Sequence, residues 1–450
     1  MNIPQTWTLA QLGSLTAQVV GGGTPSKTSA ANFNGHIPFM TVKDLKARFV
    51  SSTVDHISED ALLSSAATKV PADTLIVATR MSLGKIARPT MDVAINQDLK
   101  ALFLHSGVNK TFVEYFWRSK SHAIQSMGTG TTVKGIRLED IRTLEVPLAP
   151  EAEQKRIADK LDTVLTRVDA VNTRLARVAP LLKRFRQSVL AAATSGRLTE
   201  DWRQKQGNKL QPWKACATKD AGRIQLGRQR SPKFHSGDSM HPYLRVQNVF
   251  EDRLDLSDVM TMDFPGEDFQ RYRLHPGDIL LNEGQSPEYL GRPAMYRGEL
   301  PGACFTNTLI RFQAYPHVDA EFALIVFRHY MHSGRYLRAG TTTTNIAHLG
   351  AGRFGDIEFP LPGLEEQTEI VRRVETLFAF ADRLEARLAQ AQTAATRLTP
   401  ALLAKAFRGE LVPQDPNDEP AAELLRRLQA ERASAPKAST GRGRKAVVQS

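Results

Sequence analysis

The sequence holds only two cysteines in 450 residues, Cys216 and Cys304. Two thiols so far apart supply neither a disulfide framework nor a cysteine zinc site. No run of eighteen uncharged apolar residues occurs, so no membrane span is expected. The opening MNIPQTWTLAQLG has no basic segment followed by an apolar one and no cleavage site, which makes the cytoplasm the expected location. Catalytic signatures are scarce as well. Residues 22–28 (GGTPSKT) lack the glycine that precedes the lysine of a phosphate loop, and Gly128-Thr129-Gly130 lacks the third glycine of a dinucleotide fingerprint. His329 and His332 sit three apart on a predicted helix, without a third ligand at matching spacing. The Asn-Pro-Pro-aromatic and Asp-Pro-Pro-aromatic tetrapeptides of amino-methyltransferases are absent. Acidic residues fall short of basic ones, 47 against 59, which gives a net charge of +12. That balance favours a polyanionic partner, most simply nucleic acid.

What the chain does contain, it contains twice. Residues 147–198 and 360–411 align without a gap, so that Glu153-Gln154 falls on Glu366-Gln367 and Gly196-Arg197-Leu198 on Gly409-Glu410-Leu411. In the first copy Ile157, Leu161, Val164, Val168, Val171, Leu175, Val178, Leu182, Phe185 and Val189 alternate steps of four and three. This is the period of a coiled coil. The second copy continues the frame with Ile370, Val374, Leu377, Ala381, Leu384, Leu388, Ala391, Ala395, Leu398 and Leu402. Its alanines permit close approach of a bulkier partner, so the two helices are expected to pack on each other within the chain. Pro180 is expected to kink the first helix or divide it in two.

The segments between the helices also echo each other. Trp7 and Trp213 open them, and residues 37–45 (IPFMTVKDL) match 240–249 (MHPYLRVQNV). Residues 70–77 match 274–281 as a turn followed by a buried strand; a polar loop and then Gly84 or Gly291 follow. Gly130-Thr131-Thr132 corresponds to Gly340-Thr341-Thr342. Strands and turns agree while loops differ, as on one scaffold that presents two recognition surfaces.

These strings, together with Gly23-Thr24-Pro25-Ser26, Gly277-Asp278-Ile279-Leu280-Leu281 before Gly291-Arg292, Pro360-Leu361-Pro362 with Glu365-Glu366-Gln367, and Lys405 to Leu411, resemble the DNA-specificity subunit of type I restriction-modification systems over nearly the whole chain. The first repeat departs from the pattern at Ala149-Pro150-Glu151-Ala152 and at Thr194-Ser195-Gly196. The resemblance implies an α+β fold. Two mixed α/β target-recognition domains, 1–145 and 199–358, would alternate with two helical repeats, 146–198 and 359–412. The helices would pair as an antiparallel coiled coil in a pseudo-twofold tandem repeat, followed by a tail, 413–450, largely disordered after 433. It implies a noncatalytic subunit whose domains each read half of a bipartite, asymmetric site on double-stranded DNA; the alternative reading of the same residues is a noncatalytic coiled-coil scaffold that binds nucleic acid without sequence specificity. The helices would space the half-sites, with the first acting as a ruler, and dock two methyltransferase subunits and, through them, restriction/translocase subunits. S-adenosylmethionine, Mg and ATP would bind those partners and not this chain.

Polar loop residues of types that contact phosphates and base edges are the candidate readers. In the first domain these are Lys27, Thr41, Lys43, Arg80, Ser82, Lys85, Thr131 and Lys134. In the second they are Arg228, Arg230, Lys233, Arg245, Gln247, Asn248, Gln285, Arg292, Thr342 and Asn345.

Overall fold

The computed structural model describes residues 3–130, 134–207, 212–343 and 345–434; Thr131 and the tail after Ser434 lie outside the described residues. The chain divides into two compact units, Met1–Arg174 with Ala391–Ser450, and Leu175–Gln390. Each holds one sheet-based domain, the start of one long helix and the end of the other.

In the first unit the apolar run Leu75–Ala78 forms a fully buried strand. It pairs antiparallel with Leu99–Leu104 and Ile86–Pro89 in a five-stranded sheet that also includes Thr16–Gly21 and Phe49–Val50. A second sheet joins Asp55–Ile57, Ile37–Met40, Val93–Ile95 and Thr68–Val70, with Ile37–Met40 and Val93–Ile95 parallel. The short ribbon Thr8–Gln11 with Glu145–Leu148 closes the domain just before the long helix. Helix Lys110–Ser119 starts because the Asn109 side chain accepts from the Phe112 amide at 2.9 Å. It buries Phe112, Val113, Tyr115, Phe116 and Trp117 in the main core.

The second unit repeats the plan. Gly222–Leu226, Leu309–Ala314, Ile279–Asn282 and Pro293–Met295 pair in the same order as their counterparts in the first unit. The parallel contact recurs between Met240–Leu244 and Cys304–Phe305. Lys214–Ala217 with Glu358–Leu361 forms the closing ribbon, and helix Ala320–His332, capped by Asp319, fills the core. Two glycines hold equivalent turns with positive φ. A Cβ on Gly84 (φ +79) would lie 2.5 Å from the Ser121 carbonyl oxygen, and one on Gly291 (φ +68) would lie 2.3 Å from the Tyr336 ring.

The long helices run Glu151–Thr194 and Leu364–Ala406. Pro180 does not divide the first: it lies on the exposed face, so the carbonyl of Ala176, left without its donor, also meets water. The pairing is antiparallel. In the second unit Arg186 meets Asp382 at 2.6 Å, and Leu182, Ala381 and Leu388 form an apolar cluster with Leu175, Val178, Phe185 and Leu384. In the first unit Leu165 and Leu403 line one cavity. Ile157, Leu161, Val168, Ile370 and Val374 are buried as the heptad requires, while Val164 and Leu377 are half-buried. The frame loosens elsewhere. Val171 and Leu398 are 44% and 46% exposed, and Leu403 is buried in preference to Leu402. Near the domain the helix buries a face wider than a two-stranded seam, because the sheet core covers its flank.

Residues 413–434 do more than trail from the second helix. Helix Ala421–Ser434 buries Ala421, Leu424 and Leu428 in the core of the first unit, and the Ala421 amide donates to the Thr6 carbonyl at 2.9 Å.

Candidate nucleic-acid interface

Each domain is bolted to the start of its long helix by the same three side chains, a Trp, a Glu and a Gln. In the first unit Trp7 Nε1 donates to Glu153 Oε2 at 2.9 Å, Gln154 Oε1 accepts from the Asn109 amide at 2.8 Å, and Gln154 Nε2 donates to the Ala149 carbonyl at 2.9 Å. In the second unit Trp213 Nε1 donates to Glu366 Oε2 at 2.9 Å, Gln367 Oε1 accepts from the Asp319 amide at 2.7 Å, and Gln367 Nε2 donates to the Pro362 carbonyl at 2.8 Å. Asn109 and Asp319 cap the principal helix of each domain, so the clamp fixes that helix to the long one. All four Glu and Gln side chains are buried. Burial pushes the Glu153 carboxyl above its ordinary range although Trp7 and Gln414 donate to it.

Ion networks stiffen the attachment. Arg48 donates to the fully buried Glu114 at 2.7 Å and to Asp162 of the long helix at 2.5 Å; Arg88 reaches Glu114 at 2.8 Å. In the second unit Arg328 and His332 both hold Glu251 at 2.9 Å, and the Arg328 guanidinium lies 4.9 Å from the Phe378 ring on the long helix. His332 is thus engaged with a carboxylate of its own domain.

On this frame the loop after the buried strand is held by main-chain bonds in both units. In the first, the Thr79 amide and hydroxyl donate to the Asp98 carbonyl, and the Ile136 amide donates to the Thr79 carbonyl at 3.0 Å. The Met81 amide donates to the Lys134 carbonyl at 3.1 Å. The glycine-rich loop joins the same region: Thr24 Oγ1 donates to Gln97 Oε1 at 2.6 Å, and a Cβ on Gly22 would fall 1.8 Å from the Ile95 carbonyl oxygen. Arg80, Met81, Asp98, Thr129 and Arg137 line a cavity of about 420 Å³ there. Burial and the neighbouring Arg80 pull the Lys100 ammonium below its ordinary pKa.

In the second unit the equivalent loop becomes the strand Gly284–Gln285, which pairs with Ala347–His348 and through it with Thr341–Thr342. Beside this small sheet Arg335, Arg338 and Arg353, together with Asp356 and Glu358, line a cavity of about 660 Å³. Arg338 donates to the Ser333 carbonyl and Arg353 to Thr341 Oγ1, each at 3.0 Å, and Arg335 lies 4.7 Å from the Tyr330 ring. The bonds of these arginines go to neutral groups, while Asp356, which pairs with Lys219, and Glu358 offset part of the positive charge of the cavity.

Several residues expected to read DNA are spent on the fold. Thr41 caps a turn, with its amide and hydroxyl both donating to Asp44. Asn248 is 1% exposed; its oxygen accepts from the Arg245 amide and its nitrogen donates to the Asp255 and Asp258 carbonyls. Arg228 is buried over Phe234, donates to the Asp263 carbonyl and pairs with Asp268 at 2.9 Å. Arg245 pairs with Asp258 at 2.6 Å, and Arg292 is half-buried against Phe250 and Tyr289. Asn248 and Arg228 meet buried backbone carbonyls, Thr41 a buried carboxylate, Arg245 an exposed one and Arg292 two partly exposed rings, which residue type alone does not reveal. Lys43 remains exposed although it reaches Asp55 at 3.4 Å. Ser82 and Gln285 are half-buried, whereas Lys27, Arg80, Lys85, Lys134, Arg230, Lys233, Gln247, Thr342 and Asn345 are exposed. Gln97 and Lys100 in the first unit and the three arginines in the second follow no sequence motif, and each group is assembled only by loop contacts within its own unit.

Comparison with known proteins agrees with this architecture. A family model described as the type I restriction modification DNA specificity domain matches residues 4–179. The type I restriction enzyme EcoBI specificity subunit of Escherichia coli is 32% identical over 353 residues, 72% of each chain. The EcoKI specificity subunit of Escherichia coli strain K12 is 27% identical over 96% of this chain and 97% of its own. Among solved structures, a chain from a study of assembly and conformational transition in a type I R-M system superposes with a TM-score of 0.63 at 16% identity, covering 91% of this chain and 100% of that one. The HsdS subunit from Thermoanaerobacter tengcongensis gives 0.59 at 18% identity over 91% and 98%. These two share the fold.

Proposed function

The chain belongs to the type I restriction-modification DNA-specificity family, and from that premise we propose that its two domains each read one half of a bipartite, asymmetric DNA site. The observation that carries the reading is the duplicated clamp. Trp7–Glu153 and Trp213–Glu366 hold two copies of one scaffold in the same way, while the loops that each scaffold presents differ in sequence and in pairing. Frames of one plan with different loops suit two sequence readings by one chain. Exposed cations at the loops, Arg80 and Lys134 in one unit and Arg230 and Lys233 in the other, supply phosphate contacts that position the duplex. The long helices set the spacing of the half-sites and dock two methyltransferase subunits, through which restriction/translocase subunits join. The chain itself is noncatalytic. S-adenosylmethionine, Mg and ATP serve the partner subunits, where base modification and cleavage take place.

The test is competition binding of the full chain, co-expressed with its methyltransferase subunit, against random-sequence duplexes at rising salt. A reader retains a preference of about 10³-fold or more for one bipartite sequence as salt removes the phosphate contribution. Affinity that falls with salt and shows no preferred sequence contradicts the reading.

A further inference from the structure

Met81 stands out in the first unit. Its side chain is 60% exposed and its φ is +58, a left-handed conformation that glycine adopts freely and methionine does not. The Ser82 amide donates back to the Arg80 carbonyl at 2.6 Å, which closes a three-residue turn with Met81 at its apex. This turn is held on all sides. Thr79 is tied to Asp98 and Ile136, the Met81 amide to Lys134, and the Lys85 amide to the Ser82 carbonyl at 3.2 Å. A long apolar side chain is therefore presented to solvent from a strained and braced turn, next in sequence to the exposed cation Arg80 and tied through its amide to the exposed Lys134. Single exposed apolar residues are common and mean little by themselves. Strain together with bracing at the loop proposed to face DNA calls for a function, since glycine would fill the turn at lower cost.

We infer that Met81 is a specificity-determining residue that packs on the C5-methyl group of a thymine in the major groove. The inference rests on the proposed reading of DNA by the first unit and deepens it. The flanking cations suit phosphates, whereas a thioether chain has no donor for a base edge or a phosphate. Thymine's methyl is the apolar feature of the major-groove edge, and a flexible, polarizable chain adapts to it. A wedge that unstacks a base step is the alternative use of such a side chain. The second unit has no counterpart to this turn: there the loop continues as the strand Gly284–Gln285.

The test uses the full chain with its methyltransferase subunit and the duplex recovered as its preferred site. Each thymine of the half-site assigned to the first unit is replaced in turn by deoxyuridine, which removes only the methyl group. Wild-type protein should lose about three- to fivefold in affinity at one position, the effect of a single buried methyl group. Met81→Gly, which keeps the turn, should bind the thymine and deoxyuridine duplexes equally at that position and leave the other half-site unaffected. The inference is overturned if the half-site has no thymine, if every deoxyuridine substitution is neutral for wild type, or if Met81→Gly weakens all sequences alike, as loss of a wedge would. Absence of any preferred sequence in wild type would instead overturn the reading of DNA by the domains.

Discussion

Gln154→Ala probes the clamp in the first unit. The change removes the acceptor of the Asn109 amide and the donor to the Ala149 carbonyl, at a position with 0% exposure. A buried polar group left unpaired costs ~1–3 kcal/mol, so two such groups give about 2–6 kcal/mol, and alanine returns little by its own burial. The Asn109 amide sits at the start of helix Lys110–Ser119, so the loss falls on that helix. Hydrogen exchange read by mass spectrometry reports it. With ~1.4 kcal/mol per tenfold, amides of Lys110–Ser119 should exchange at least about thirtyfold faster, while those of Ala320–His332 keep their protection. Gln367→Ala should do the reverse, because it frees the Asp319 amide and the Pro362 carbonyl in the second unit. If either substitution loosened both helices equally, or neither, the clamp would not be the unit-by-unit fastening described above.

Other perturbations separate fold from recognition. Asn248→Ala strips the partners from the Arg245 amide and the Asp255 and Asp258 carbonyls, so chemical denaturation should show a loss of at least ~1–3 kcal/mol, with the preferred DNA sequence unchanged in the folded fraction. Arg335→Gln, Arg338→Gln and Arg353→Gln combined should weaken binding to all sequences alike and reduce the slope of log affinity against log salt by ~0.9 for each phosphate no longer neutralised; an unchanged slope would remove the three from the interface. The Arg372 guanidinium, followed by that of Arg373, holds the Glu369 carboxyl down at about 2. Because this folded value lies below the unfolded value of ~4.3, the pair's contribution is complete above that pH and is lost as the pH falls towards about 2. Thermal midpoints of wild type and Glu369→Gln should therefore differ at pH 5 and converge on acidification, by a modest amount given the exposed partner Arg372.

Much of the fold was legible because it rests on periodicity and on duplication. The steps of four and three placed Ile157, Leu161, Ile370 and Val374 in the interior, and the echo of residues 70–77 in 274–281 marked the same buried strand in both domains. Trp7, Trp213 and the two Glu-Gln pairs were also visible as landmarks. Their partnership was not, since it joins side chains 146 and 153 residues apart in sequence. The candidate interface was legible in its loops and less so in its residues. Lys134 and Arg230 lie on the surface, whereas Thr41, Arg228 and Asn248 satisfy buried groups. A composition of Arg, Asn and Thr describes both situations, and only tertiary pairing tells them apart. Pro180 taught a related lesson: its effect depended on which face of the helix it occupied.

The most direct measurement is the methylome of cells that carry the chain with its modification partner, compared before and after residues 199–358 are replaced by the equivalent domain of a relative. If each domain reads one half-site, the methylated site is bipartite, and one half changes with the exchange while the other stays the same. A site altered in both halves, or a site indifferent to the exchange, would contradict the assignment of one half-site to each domain.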